Sequence, residues 1–158
     1  MCGYHGNPLH ECGCTPPLIQ RCLSRVSGPL LDRIDLHIQV PAVKYRELAA
    51  DDKAESSAAI RERILAARRV QSRRLAPFGL YCNAQMTPRL SRRFTKPDAE
   101  SEKLMEDAIT RLGLSARAYD RILRVSRTIG DLEGIETIEA RHVSEAIQYR
   151  TLDRIYWQ

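Results

Sequence analysis

The chain has 158 residues, 43% of them hydrophobic, with 8 glycines and 8 prolines, a composition that excludes a disordered or fibrous chain and leaves room for one ordinary domain or two small ones. Lysine and arginine number 25 against 20 acidic residues, a net charge of +5 that permits nucleotide or nucleic-acid binding without demonstrating it. No apolar run approaches the roughly 20 residues of a bilayer span and no signal pattern opens the chain, so a cytoplasmic protein without a membrane partner is expected.

Residues 1–26 contain Gly3, Gly6, Pro8, Gly13, Pro16 and Pro17, show no apolar period and read as a loop. The stretch "SGPLLDRIDLHIQVP" follows. In it Ile34, Leu36, Ile38 and Val40 alternate with Asp35, His37 and Gln39, the period of a strand with one buried face, His37 falling on the outer face and Pro41 closing the element. No later segment resembles a partner strand, and a lone strand is not stable. Its sheet is therefore expected in sequence preceding Met1, which makes the chain a piece of a longer protein.

Helices occupy the rest. Residues 55–74 are charged and alanine-rich, with Ile60, Ile64, Ala67 and Gln71 on one narrow stripe. Thr87 and Pro88 supply an N-cap and a first helical position. Leu104, Met105, Ala108, Ile109 and Leu112 form another amphipathic face, stopped by Gly113; Ser115 caps a third helix in which Ala118, Ile122, Val125, Ile129 and Leu132 keep helical spacing. Thr137 is expected to cap the last, with Val143, Ala146 and Ile147 inward. Residues 85–150 thus read as a compact helical bundle.

Three groups of residues carry chemistry. Four of the five cysteines lie between Cys2 and Cys22. Zinc takes four N or S ligands from closely spaced pairs, so Cys12 and Cys14 with Cys2 suggest a metal site completed by Cys22, His5 or His10, the alternative being reduced thiols in a leader. Arg117, Arg121 and Arg124 make one ridge beside the apolar stripe of their helix, where guanidinium groups either grip phosphate or pair with Glu133, Asp120 or Glu106. Arg33, between Asp32 and Asp35, is either a local ion pair or a charge delivered to a neighbour's phosphate. There is no phosphate-cradling G-x-x-x-x-G-K-[ST] loop and no H-E-x-x-H metal motif.

The stretches "CGYHGNPLHECGCTP", "RVSGPLLDRIDLHIQVP", "ESSAAIRERILAAR", "NAQMTPRLSRRF" and "GLSARAYDRILRVSRTIGDLEG" resemble the C-terminal part of the magnesium-chelatase-like AAA+ ATPases of the ComM/YifB type. The resemblance implies a mainly α fold: a Cys-containing loop and one strand from the end of the AAA+ core (1–45), a connecting segment with a long helix (46–84) and a helical lid (85–158). It implies that Arg33, in "LLDRID", is an arginine finger acting in trans, that Arg117 is the sensor-2 residue and that Arg124 is a second nucleotide contact. Cys2, Cys12 and Cys14 would be the cysteines remaining from a four-thiolate zinc site, Cys22 standing where the family usually has an aromatic. ATP and Mg²⁺ are the implied cofactors, bound mainly outside these residues, and a homohexameric ring on DNA is the implied assembly. The implied activity is ATP-driven DNA branch migration, the alternatives being a chelatase-type or protein-remodelling ATPase, or a free-standing basic helical binding domain.

Overall fold

A computed structural model of the chain describes residues 2–7, 9–38, 40, 43 and 54–150. Gln39, Pro41, the boundary expected at 45/46 and the last eight residues of the expected lid lie outside them.

Seven α-helices are described: α1 (Pro16–Leu23), α2 (Gly28–Leu31), α3 (Ser57–Leu75), α4 (Pro88–Phe94), α5 (Ala99–Leu112), α6 (Ala116–Glu133) and α7 (Ala140–Gln148). The fold is mainly helical, as the sequence implies. Helix α1 corrects the loop reading of residues 1–26. Pro16 and Pro17 sit in its first turn, where the missing N–H groups have no intrahelical partner to lose, so a pair that looks like a breaker is a helix start.

The expected strand does not form among the described residues. Residues 34–38 run without ladder pairing, and the face read as buried is open: Ile34, Leu36, Ile38 and Val40 are 41%, 46%, 65% and 81% exposed. His37, assigned to the outer face, is the buried one, its backbone N–H donating to the Tyr149 carbonyl at 2.8 Å. Alternation specifies a strand only where a second edge supplies the ladder. The described residues offer none beyond an isolated parallel bridge between Pro97 and Ile138.

The bundle is centred on α6, which packs against α7, α3 and α4, while α5 closes on α7. Its core comprises Met105, Ala108, Leu114, Ala118, Ile122, Leu123, Ile129, Ile138, Val143 and Ala146. The polar caps expected from sequence are in place: Thr87 accepts from the Leu90 N–H, and Ser115 from the Ala118 N–H. Gly113 and Gly134 end α5 and α6 in left-handed conformation, at φ 63° and 72°. Two details differ. The N-cap of α7 is Glu139 rather than Thr137, its N–H donating to Nδ1 of the buried His142, and Leu132 is 45% exposed at the edge of α6.

Helix α3 uses only Ala67, Gln71 and Leu75 as its buried face, leaving Ile60 and Ile64 38% and 48% exposed beyond the bundle. A buried polar knot fixes its C-terminal end. Arg74 forks onto both oxygens of Asp131, at 3.0 and 2.5 Å, while Arg127 Nε at 3.1 Å and Asn83 Nδ2 at 2.8 Å donate to the same carboxylate. Arg127 also donates to the carbonyls of Ile135 and Glu136, which ties the α6–α7 connection to α6. Burial pulls the Arg127 guanidinium below its ordinary pKa, and Asp131 acts against that shift. A Cβ at Gly130 would come within 2.9 Å of both Arg127 Nη2 and the Ile138 Cδ1 methyl, so a larger residue there has to displace one of these two buried side-chain ends.

Candidate functional site

Helix α2 and the turn after it set the geometry of the first site. Gly28 and Pro29 start a single helical turn, Leu31 buries as its anchor, and the N–H groups of Arg33 and Ile34 donate back to the Leu30 and Leu31 carbonyls at 3.0 Å each. The turn is then stitched to the bundle from three directions. Ser115 Oγ donates to Asp32 Oδ1 at 2.9 Å, Arg150 donates to the Ile34 carbonyl and lies 3.7 Å from Asp32 Oδ1, and Arg121 donates to the Arg33 carbonyl at 2.6 Å and to the Asp35 carboxylate.

This arrangement bears on one of the two readings of Arg33, the local ion pair. Both flanking aspartates are engaged by other residues: Asp32 by Ser115 and Arg150, Asp35 by Arg121. The Arg33 guanidinium is exposed and has no carboxylate partner among the described residues. The local ion pair is therefore not formed. What holds this residue is its backbone, not its charge.

The arginine ridge of α6 divides into three roles. Arg117 is exposed and lines a cavity of about 430 Å³ with Pro29, Asp32, Gly113, Ser115 and Arg150. Arg124 is half-buried and donates to the carbonyls of Asp120, at 3.3 Å, and Ala84, at 3.2 Å, so its charge staples α6 to the turn before α4. Arg121 is the clamp on residues 33–35. None of the three pairs with the side chain of Glu133, Asp120 or Glu106 among the described residues. The cavity wall thus carries Arg117 and Arg150 beside Asp32, and the exposed Arg33 follows Asp32 in the chain without lining the cavity. That is a site suited to polyanionic groups such as phosphates.

Sequence reasoning passed over the residues that build this site, Asp32, Ser115, Arg121 and Arg150 in their anchoring roles. The one available signal was the position of Arg121 on the same ridge as Arg117 and Arg124.

The second site is the thiol cluster. Gly3 and Gly6, both at φ 79°, turn the leader back so that the Sγ atoms of Cys2, Cys12 and Cys14 lie within 4.8 Å of one another. Cys2 Sγ is 3.4 Å from Cys12 Sγ and 3.3 Å from Cys14 Sγ. The Tyr4 N–H, followed by the thiols of Cys14 and Cys12, lowers the Cys2 pKa to about 7. For Cys12 the Cys14 N–H acts downward, but the adjacent thiols and burial outweigh it and the pKa rises. His5 and Cys22 border the same cavity of about 240 Å³, whereas the His10 ring packs at a tilt against Tyr4, centroids 4.9 Å apart. Three soft ligands lie this close, somewhat nearer than the separation of about 3.8 Å that roughly 2.3 Å zinc–sulfur bonds at tetrahedral angles set.

Residues 54–150 match the family model "Magnesium chelatase, subunit ChlI C-terminal", and residues 1–48 match "Magnesium chelatase, subunit ChlI". The chain belongs to this magnesium-chelatase-like family, in the ComM/YifB group. It is 41% identical to competence protein ComM of Haemophilus influenzae over 142 residues, 89% of this chain and 27% of that protein. It is 38% identical to the YifB proteins of Salmonella typhimurium and Escherichia coli, in each case over 96% of this chain and 29% of the relative. The chain therefore spans less than a third of the length of the curated relatives it matches. No helix among the described residues is long and apolar enough to cross a membrane.

Proposed function

We propose that this chain is the arginine-bearing edge and helical lid of a ring-forming AAA+ ATPase that drives branch migration of DNA. Residues 1–45 would belong to the ATPase core, 46–84 to the connection and 85–158 to the lid. The observation that supports this reading best is Arg33: exposed, released from both neighbouring aspartates, and held by its own carbonyl to Arg121. A finger acting on a neighbour's nucleotide needs these properties, a free guanidinium on a rigid mount.

In this reading Arg33 reaches the γ-phosphate bound by the adjacent subunit. Arg117, at the cavity between α2 and α6, contacts phosphate as the lid closes, and Arg124 holds the ridge to the Ala84 turn while contributing its field. ATP and Mg²⁺ are held mainly by a phosphate loop that this sequence does not contain. One relative is named a competence protein, and the net charge of +5 suits a polyanionic track.

The reading is tested with a polypeptide of the relatives' length that carries these residues, measuring ATP turnover with and without a four-way DNA junction. Junction-stimulated turnover and ATP-dependent branch movement are expected. Turnover indifferent to DNA points instead to a chelatase-type or remodelling ATPase, and ATP-independent binding alone to a free-standing helical binding domain.

We also propose that Cys2, Cys12 and Cys14 bind zinc, with Cys22 or His5 of the same cavity as fourth ligand. Cobalt substitution is expected to give tetrahedral thiolate absorption. Cys12→Ser is expected to weaken metal binding by about tenfold or more, because two sulfurs no longer enclose the ion on all sides. An unchanged spectrum in the variant excludes the site.

A further inference from the structure

The net positive charge of the chain comes from one region. Residues 57–95 hold nine arginines against the single acidic residue Glu62, whereas the remaining residues hold 16 basic and 19 acidic groups. The arginines gather on α3 and α4. Arg63 pairs with Glu55, Arg74 is taken by Asp131, and Arg93 lies over the rings of Phe78 and Phe94 at 5.5 and 5.4 Å. The other six, Arg61, Arg68, Arg69, Arg73, Arg89 and Arg92, are exposed and have no carboxylate partner among the described residues.

A helix face selected only for solubility alternates its signs, because i,i+4 opposite charges stabilise it and like charges weaken it. Helix α3 does the reverse, with Arg69 and Arg73 at i,i+4 and Arg68 adjacent. That arrangement costs the isolated helix and is relieved by an external polyanion. Arg69 and Arg73 lie opposite the buried face of Ala67, Gln71 and Leu75, while Arg61 and Arg68, seven residues apart, run along its exposed border, on a helix about 28 Å long.

A second, independent feature points to the kind of polyanion. Directly after α3, Phe78 and Tyr81 are 40% and 65% exposed. The Tyr81 backbone is fixed on both sides, its N–H donating to Gln85 Oε1 at 2.7 Å and its carbonyl accepting from Ser72 Oγ at 3.4 Å, so the ring is presented on a rigid turn. The edge-to-face contact of Phe78 with Phe94, at 5.8 Å, draws the C-terminal ends of α3 and α4 together, placing the aromatic tip between two arginine-bearing helix ends. Cations that track phosphates beside rings that stack bases are the recognition elements of an unpaired strand; a duplex hides the base faces.

We propose that the outer face of α3, the Phe78–Tyr81 tip and the end of α4 form a binding surface for single-stranded nucleic acid. The proposal deepens the reading above by assigning the contact face, and it is measured without ATP so that either can fail alone.

The experiment is fluorescence anisotropy of a labelled oligothymidylate with the full chain over a range of salt concentrations. The Arg61→Gln/Arg68→Gln/Arg69→Gln/Arg73→Gln variant keeps helix propensity. It is expected to bind about tenfold or more weakly and to lower the slope of log K against log salt by about 3, roughly 0.7 for each lost phosphate contact. Tyr81→Ala is expected to weaken binding about tenfold with the slope unchanged, the signature of lost stacking. The comparison variant Arg21→Gln/Arg25→Gln/Lys103→Gln/Arg111→Gln removes the same charge elsewhere and is expected to bind nearly as well as the parent. Circular dichroism confirms folding of each variant. Equal losses in the two charge variants, duplex bound as tightly as single strand with Tyr81→Ala neutral, or binding to anionic phosphatidylglycerol vesicles but not to oligothymidylate would each overturn the proposal.

Discussion

Replacing Arg33 with alanine is expected to lower ATP turnover by roughly 10³-fold or more in a polypeptide of the relatives' length, while nucleotide affinity changes little. The loss follows from the proposed role, because a guanidinium that meets charge developing on the transferred phosphoryl group acts on the transition state rather than on the bound ground state. Stability is expected to stay within about 0.5 kcal/mol of the parent, since the side chain is exposed and pairs with none of the described carboxylates. Mixing the variant with a second one that cannot bind ATP is the sharper measurement. If the finger acts across a subunit boundary, each protein supplies what the other lacks and part of the turnover returns. Arg33→Ala with unchanged turnover would remove the main support for the proposed function.

Asp131→Ala is expected to be the most destabilising single change in the bundle. The carboxylate is fully buried and accepts from Arg74, Arg127 and Asn83, and the side chain of Arg127 is itself only 2% exposed. Removing it strands two guanidinium groups, one deep in the protein, for which about 3–5 kcal/mol is the usual cost. In a chain of this size the melting temperature is expected to fall by roughly 10 °C or more. Simultaneous replacement of Arg74, Arg127 and Asp131 by apolar residues is expected to recover much of the loss, because the penalty lies in the unpaired charges. Thermal unfolding of the two variants measures this, and a single variant melting within a few degrees of the parent would show that water reaches the knot.

The caps on Thr87 and Ser115 and the stops at Gly113 and Gly134 were legible because each depends on residues within one helical turn. The same locality misled the reading of Pro16 and Pro17, where what matters is the position of a proline in the turn rather than its presence. Alternation in residues 34–40 was real as a pattern, yet a strand needs a second edge, and that information is not in the pattern itself. The site was legible only as a set of arginines on one ridge. Arg121 meets Asp35 across 86 residues of sequence, Ser115 meets Asp32 across 83, and Arg74 meets Asp131 across 57. Such pairings decide which charges are free and which are spent, and no periodicity carries them.

The stitching of residues 32–37 to α6 and α7 has a mechanical meaning. Ser115, Arg121 and Arg150 grip Asp32, Arg33, Ile34 and Asp35 through five separate polar contacts, so the turn rides on the bundle as a tooth rides on a wheel. In the proposed assembly a tilt of the helices is expected to carry the Arg33 backbone with it. Posture and charge placement would then be linked, the mount of the exposed guanidinium following the bundle.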